Sequence, residues 1–282
     1  KYSLLQSTYH EEWAWRFSSK LKNDRRYSIS DAFETFPFPQ HLTTAQEQKL
    51  EEIGAAYHEH RRQLMLKMQL GLTKTYNAFH AREIQEQRIK SKDLEGLDKK
   101  TIEKQYGKEV WNLWNHLQKT EGVCSFEEAV ASIIELRRLH VLMDEAVLEA
   151  YGWGLPLTPS QGGGNSVSQV VNALRGGSKS VSQVRASLEV TPSLKPVELR
   201  HDFYEVDYLP ENDRVRYTIH PEARKEILKR LLELNHKIHA EEVEAGLWEK
   251  KKAKTKAEAK AKANYEIKMD AEVVGEPEME FE

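Results

Sequence analysis

The sequence predicts a mainly α-helical protein with a small β element, in which long amphipathic helices pack as a helical bundle. Apolar residues recur at helical intervals over residues 44–70 and 125–150, and each stretch opens with the spacing of a capping box. Alternating apolar and polar residues, typical of a half-buried strand, occur over residues 214–219. Charged residues make up 31% of the chain, which is normal for long amphipathic helices.

The first 42 residues combine an aromatic, basic helix with an extended strap. The segment Trp13–Lys22 carries aromatic and basic side chains and is a helix candidate. In the strap, residues 26–39, both prolines of Phe36–Pro39 lack a backbone N–H and push the preceding phenylalanines toward extended conformations. We therefore expect a stiff strap that presses aromatic rings into a neighbouring surface.

Residues 43–156 are predicted to form a helical spacer domain. Thr44 at the N-cap and Glu47 at the third helical position predict the start of a long helix, which Gly71 ends or bends. The highly charged residues 81–124 predict an inserted helical hairpin. The domain then continues in a second long helix.

The second long helix has clear start and stop signals. Ser125 and Glu128 have capping-box spacing, and an apolar stripe follows them. Gly152 and Pro156 stand where a helix of this length should stop.

The remaining segments differ in composition. Residues 157–197 contain a Gly/Ser-rich motif twice and predict a flexible low-complexity insertion, with a small accessory helix pair as the alternative. In residues 198–248 we expect a strand at Arg214–Ile219, paired with Phe203–Val206, and then a helix that starts at Pro221. Residues 249–282 form a lysine-rich and then acidic tail, predicted to be a charged helix that frays into disorder.

Composition narrows the class of protein. The net charge of −3 gives no global basic field, so any contact with nucleic acid must be local. The single cysteine, Cys124, excludes an internal disulfide and fits a reducing compartment. No apolar run approaches the roughly 20 residues of a membrane span, so we expect a cytoplasmic protein without a membrane partner.

Five segments occur in an order that a known family shares. They are the aromatic, basic helix with its strap, Gly71–His80, Leu136–Val147 with Ala150–Trp153, Arg216–Ile219, and Leu231–Asn235. In this order they resemble the C-terminal region of large adenine-specific DNA methyltransferases. Such enzymes belong to type IIG/IIL restriction–modification systems and to phage-defence systems such as DISARM and BREX.

The resemblance implies that residues 1–42 are the end of a target-recognition region. The parent enzyme would flip an adenine and transfer a methyl group to it from S-adenosylmethionine. We expect the catalytic domain to lie upstream in the same polypeptide, with double-stranded DNA and other defence-system subunits as partners. We assign no catalytic or cofactor-binding residue to this chain, because no Asn or Asp precedes Pro-Pro and the glycines Gly162–Gly164 follow no apolar strand. S-adenosylmethionine is therefore expected in the parent and no cofactor in this chain.

A cluster of basic residues lies in the first aromatic helix and directly after it, and is the candidate DNA-contact site. Its members are Arg16, Lys20, Lys22, Arg25 and Arg26, opposed by Asp24. With the resemblance, we interpret them as contacts to DNA phosphates that position the protein without reading bases. The alternative is a solvated helix face and turn. The matching alternative for the whole chain is a helical protein-interaction scaffold without DNA contact.

Other chemically suggestive residues have structural interpretations. Trp13 and Phe17 are four residues apart and are expected to anchor the core rather than stack on a base. His140 and Asp144 have the same spacing and predict a structural pair. The remaining histidines are scattered, so we predict no metal site.

Overall fold

A computed structural model describes residues 1–21, 24–85, 89–154 and 195–247. The chain divides into two compact units, Lys1–Lys229 and Arg230–Glu282. The predicted class is confirmed, since the fold is mainly helical with a small antiparallel β element. Most of the predicted low-complexity insertion and the whole charged tail (249–282) lie outside the described residues.

The N-terminal part of the first unit consists of two helices, a short hairpin and a wide turn. Helices α1 (Tyr2–Gln6) and α2 (Thr8–Phe17) precede strands β1 (Ser19–Leu21) and β2 (Asp24–Arg26). A π-helical turn, Ile29–Phe33, lies within residues 26–39, so the prediction that this whole segment is an extended strap is wrong. The two prolines constrain only themselves and the residues before them, so they do not extend the backbone as far back as Ile29. The name strap is kept below for residues 34–39.

The prediction that the first aromatic helix continues to Lys22 is wrong. The helix ends at Phe17, and Ser18 has an extended backbone with φ −67° and ψ 148°. Serine competes for backbone hydrogen bonds through its own hydroxyl, so two serines in succession, Ser18 and Ser19, favour this exit from the helix.

The body of the unit is a pair of long antiparallel helices, α3 (Thr44–Met68) and α8 (Phe126–Ala150). These two helices pack on each other more extensively than any other pair of described elements. Their apolar stripes meet in the core. Its fully buried side chains include Tyr57, Leu64, Met68, Ile133, Leu136 and Met143.

Both long helices start with a capping box, but the first box is displaced by one residue. The box at Ser125 and Glu128 is confirmed. At α3 the N-cap is Thr43, whose hydroxyl accepts from the Gln46 N–H, and not Thr44 as predicted. Either threonine can cap, and glutamine serves at the third helical position as well as glutamate does.

Helix α1 crosses α3 at Gly54, where the backbones approach closely. A side chain on Gly54 would collide with Ser3, whose hydroxyl donates to the Leu50 carbonyl. Glycine is therefore required here by packing, although it lowers helix propensity.

Shorter helices cover one side of this pair. They are α4 (Leu72–His80), α5 (Ser91–Leu94), α6 (Lys99–Tyr106) and α7 (Lys108–Lys119). Helices α6 and α7 pack on each other within the segment where the sequence predicts an inserted hairpin. Their apolar side chains Ile102, Val110 and Leu113 are buried.

The β element and the last helix follow as the sequence predicts. Strands β3 (Asp202–Glu205) and β4 (Val215–Thr218) pair antiparallel, with Phe203 opposite Tyr217. Helix α9 (Pro221–Glu244) starts at the predicted proline. Its first turns belong to the first unit, and from Arg230 onward it is the described part of the second unit.

Candidate nucleic-acid interface

Three of the basic residues singled out by the sequence, Lys20, Arg25 and Arg26, lie in a β-hairpin that begins directly after α2. The antiparallel register places Ser19 opposite Arg26, Lys20 opposite Arg25 and Leu21 opposite Asp24. The two paired strands thus contain three of the five candidate residues.

The hairpin stands between two well-anchored segments. On one side, α2 buries Tyr9 and Trp13 almost completely. On the other side, His10 Nε2 and the Tyr27 hydroxyl form a hydrogen bond of 2.9 Å. Burial lowers the pKa of His10 to about 4, so the imidazole is neutral at physiological pH and the bond involves no formal charge.

Residues of the strap pack against helix α2 through aromatic contacts. Phe36 is 3% exposed, and its ring meets the His10 ring edge-to-face with centroids 4.7 Å apart. Trp13 Nε1 donates to the Thr35 hydroxyl over 3.1 Å, and the Trp13 and Phe17 rings lie 4.2 Å apart. The predictions that Trp13 and Phe17 share a core-facing side of the helix and that the strap inserts an aromatic ring are confirmed.

The predicted contact residues lie in α2, β1 and β2, except for one that is outside the described residues. Arg16, in the last turn of α2, and Arg26, at the end of β2, are both exposed. Lys20 lies in β1 and Arg25 in β2. Lys22 lies outside the described residues. All of the described members except Arg16 thus lie in the hairpin, whereas the alternative interpretation placed the cluster on a solvated helix face followed by a turn.

Beside Arg16 lies a cleft of about 640 Å³ that sequence reasoning missed. Its polar lining includes Glu12, Tyr208, Arg224 and Lys225. The buried Glu12 carboxylate accepts from the Tyr208 hydroxyl at 3.0 Å and lies 3.5 Å from Arg224 Nη1. Burial raises the pKa of Glu12, while Arg224 opposes this rise.

The charges of this cleft largely cancel. Glu12, Glu205 and Asp207 line it together with Arg16, Arg224 and Lys225. Arg224 is also held by the Glu205 carbonyl, 2.8 Å from Nη2. The cleft therefore lacks the excess positive charge that an anion-binding site needs, and we regard it as a support for the end of α2.

A second polar cluster resembles a catalytic arrangement but is buried. Asp144 is fully buried and accepts from the Thr8 N–H at 2.9 Å, the Thr8 hydroxyl at 2.6 Å and His201 Nε2 at 2.8 Å. His140 Nε2 lies 3.6 Å from the carboxylate and 3.1 Å from the Thr8 hydroxyl. His140 and Asp144 are therefore close to each other, as predicted, but both side chains form hydrogen bonds to the Thr8 hydroxyl, which lies between them.

The ionisation of this cluster follows from its contacts. Burial opposes ionisation of Asp144, yet the nearby His140 and the hydrogen bonds from His201 and Thr8 lower its pKa below the ordinary value. Burial also lowers the pKa of His140. A fully buried carboxylate cannot receive a substrate from solvent, so the cluster joins α2, α8 and the segment before β3.

Arg137 forms another buried polar centre. Its guanidinium donates to the carbonyls of Ala78, Phe79, Ala81 and Ile84, which end helix α4 and the following turn. The same group lies 5.0 Å from the centre of the Phe203 ring and 5.4 Å from that of Tyr217. This residue thus satisfies the carbonyls at a helix end and supports the β3–β4 hairpin.

The described residues hold neither a candidate metal site nor a candidate membrane span. Among them, no group of three or more His, Cys, Asp and Glu side chains is arranged to hold a metal ion. None of their helices combines the length and the apolar character needed to cross a membrane.

Comparisons with protein-family models, with curated proteins and with solved structures give no match to this chain.

Proposed function

We propose that this chain is the DNA-contacting, scaffolding module of an adenine-N6 DNA methyltransferase of a restriction–modification or phage-defence system. It would join the end of the target-recognition region to a helical spacer. The observation that carries the proposal is the basic β1–β2 hairpin, which is held between the buried α2 and the aromatic strap.

The hairpin has properties that suit a contact to the DNA backbone. Arg16 and Arg26 are exposed, and exposed arginines pair well with phosphates. The Trp13–Thr35 and His10–Tyr27 hydrogen bonds fix both flanks of the hairpin before binding. Such preorganisation reduces the entropy lost on association.

In this proposal the chain positions DNA and another part of the enzyme performs the reaction. Phosphate contacts fix register and orientation but carry no sequence information directly. The Asn/Asp-Pro-Pro-aromatic motif that holds a flipped adenine does not occur in the sequence. S-adenosylmethionine and the catalytic residues would therefore belong to an upstream domain, and the helical face would brace that domain or dock other defence-system subunits.

DNA affinity as a function of salt concentration tests the proposal. We expect the purified chain to bind a labelled duplex in a fluorescence-anisotropy titration, with an affinity that falls steeply between roughly 50 and 200 mM salt. The logarithmic slope should be about −0.9 for each phosphate that is neutralised. Absence of salt-dependent binding would contradict the proposal and favour a protein-interaction scaffold without DNA contact.

A cofactor assay tests the placement within the enzyme. We expect the purified chain neither to bind S-adenosylmethionine nor to methylate a duplex, because the motifs for both are missing from its sequence. Methyl transfer by the chain alone, abolished by a cofactor analogue, would contradict the assignment of catalysis to an upstream domain.

A further inference from the structure

Two large apolar side chains are exposed immediately after the basic hairpin. Tyr27 is 51% exposed and Ile29 is 66% exposed. In the described part of the chain, Ile29 is the most exposed of the large apolar residues. Both follow Arg26 within three residues, so Ile29 lies within about 10 Å of the last basic residue of the hairpin.

The backbone that presents Ile29 is firmly held. Ile29 opens the π-helical turn, whose closing bond runs from the Glu34 N–H to the Ile29 carbonyl over 2.8 Å. Ala32, in the same turn, is completely buried, and the Thr35 hydroxyl accepts from Trp13 Nε1. Tyr27 is tied to His10 on the other side. The backbone of the turn is therefore fixed by hydrogen bonds and burial, while the Ile29 side chain is exposed to solvent.

This combination is unusual for a purely structural turn. Single π-helical turns are rare and occur frequently at functional sites. Exposure of an isoleucine wastes burial that would otherwise stabilise the fold. Residues 16–34 contain five basic residues against three acidic ones, Asp24, Asp31 and Glu34, and Arg26 is exposed. This net positive charge next to an exposed apolar side chain suits a polyanion with apolar parts.

We propose that Ile29 is an apolar wedge that inserts between base steps of duplex DNA, with Tyr27 beside it and Arg26 on an adjacent phosphate. This inference depends on the proposed function and adds a specific way in which the chain would hold duplex DNA. DNA-binding proteins insert isoleucine and similar side chains from the minor groove, where they unstack a base step and kink the duplex. Neighbouring basic residues then follow the bent backbone.

The test compares Ile29→Ala with the unmodified chain on an A·T-rich duplex that contains 2-aminopurine, a base whose fluorescence rises when it is unstacked. We expect the unmodified chain to raise this fluorescence. Ile29→Ala should lower affinity on the order of tenfold at every salt concentration and abolish the fluorescence rise. The salt slope should not change, because no phosphate contact is lost.

Leu66→Ala is the matched control, since Leu66 is 59% exposed on α3. It should leave affinity and fluorescence unchanged. Binding and unstacking by Ile29→Ala at the level of the unmodified chain would overturn the wedge, and Ile29 would then belong to a protein contact. A chain that shows no salt-dependent DNA binding at all would instead overturn the proposed function, so the two failures are distinct.

Discussion

His201 Nε2 donates a hydrogen bond of 2.8 Å to Asp144 Oδ2, and this bond ties the segment before β3 to the C-terminal part of helix α8. The Thr8 N–H and hydroxyl donate to the same carboxylate from the start of α2. One buried side chain therefore joins three segments that are far apart in sequence. Replacement of either partner would leave a buried polar group without its match.

Asp144→Asn should destabilise the chain strongly. The amide keeps the size of the carboxylate but replaces one acceptor oxygen by a donor, which opposes the Thr8 or His201 donors. We expect a loss of about 3–5 kcal/mol in urea unfolding, as for other broken buried pairs. Glu135→Gln is the control, since Glu135 pairs with Arg138 on the exposed side of the same helix and should cost about 1 kcal/mol or less. Equal losses would show that the buried network adds little stability.

Arg137→Lys should destabilise far more than Arg138→Lys in the next position of α8. Arg137 reaches four carbonyls at the end of α4, and the three donors of a lysine cannot reproduce that fork. We expect a loss of about 2–4 kcal/mol and faster hydrogen exchange in α4. Arg138 makes a partly exposed pair with Glu135, so its substitution should change little. Similar effects at both positions would contradict the capping role.

Stability should fall as the pH drops from about 6.5 to about 4. Burial lowers the pKa of His80 to about 3 and that of His10 to about 4, both below the ordinary value of 6.5. Because the unfolded chain then binds more protons than the folded one, stability is complete above pH 6.5 and is lost on acidification. Each such residue contributes a slope of up to about 1.4 kcal/mol per pH unit.

His80→Asn isolates one of these contributions. His80 Nδ1 accepts from the Tyr217 N–H over 3.2 Å, and an asparagine oxygen can accept the same bond without titrating. The variant should therefore show a shallower dependence of unfolding free energy on pH. His58→Asn, at an exposed position of α3, should keep the original dependence. If the unfolding free energy of His80→Asn depends on pH as steeply as that of the unmodified chain, the pKa of His80 is not lowered by burial.

The strap phenylalanines should differ in their effect on stability. Phe36 is 3% exposed and contacts His10 and Trp13, whereas Phe38 is only half-buried. Phe36→Ala should cost about 3–5 kcal/mol. Phe38→Ala should cost clearly less in the same denaturation experiment, because part of its ring already faces solvent. Equal and large losses would show that both rings are needed as anchors.

The sequence was a good guide wherever one local signal determined an element. The capping box at Ser125, the alternating residues of β4 and the proline at the start of α9 each set a backbone conformation within a few residues. The first helix was predicted too long because its basic face looked continuous, while Ser18 and Ser19 led the chain into a hairpin. At α3, two adjacent threonines offered equivalent caps, and the pattern alone could not choose between them.

Long-range partners were beyond sequence reasoning. Asp144 meets Thr8 and His201, and Arg16 lies beside a cleft that Arg224 also lines, although these residues are separated by most of the chain. The periodicity of a sequence does not predict such long-range contacts, because they depend on how the helices pack against each other. The exposure of Ile29 was missed for the same reason, since an isoleucine between serines predicts burial as readily as exposure.

The central claim, that the basic hairpin contacts DNA phosphates, is tested most directly by the salt slope of a charge-reversed variant. Arg25→Glu together with Arg26→Glu should weaken binding about equally on different duplex sequences. The slope should flatten by roughly one unit for each lost contact. Arg62→Glu, on the exposed side of α3, is the control and should bind with the original slope. If the hairpin variant keeps the affinity and the slope of the unmodified chain, the account is contradicted.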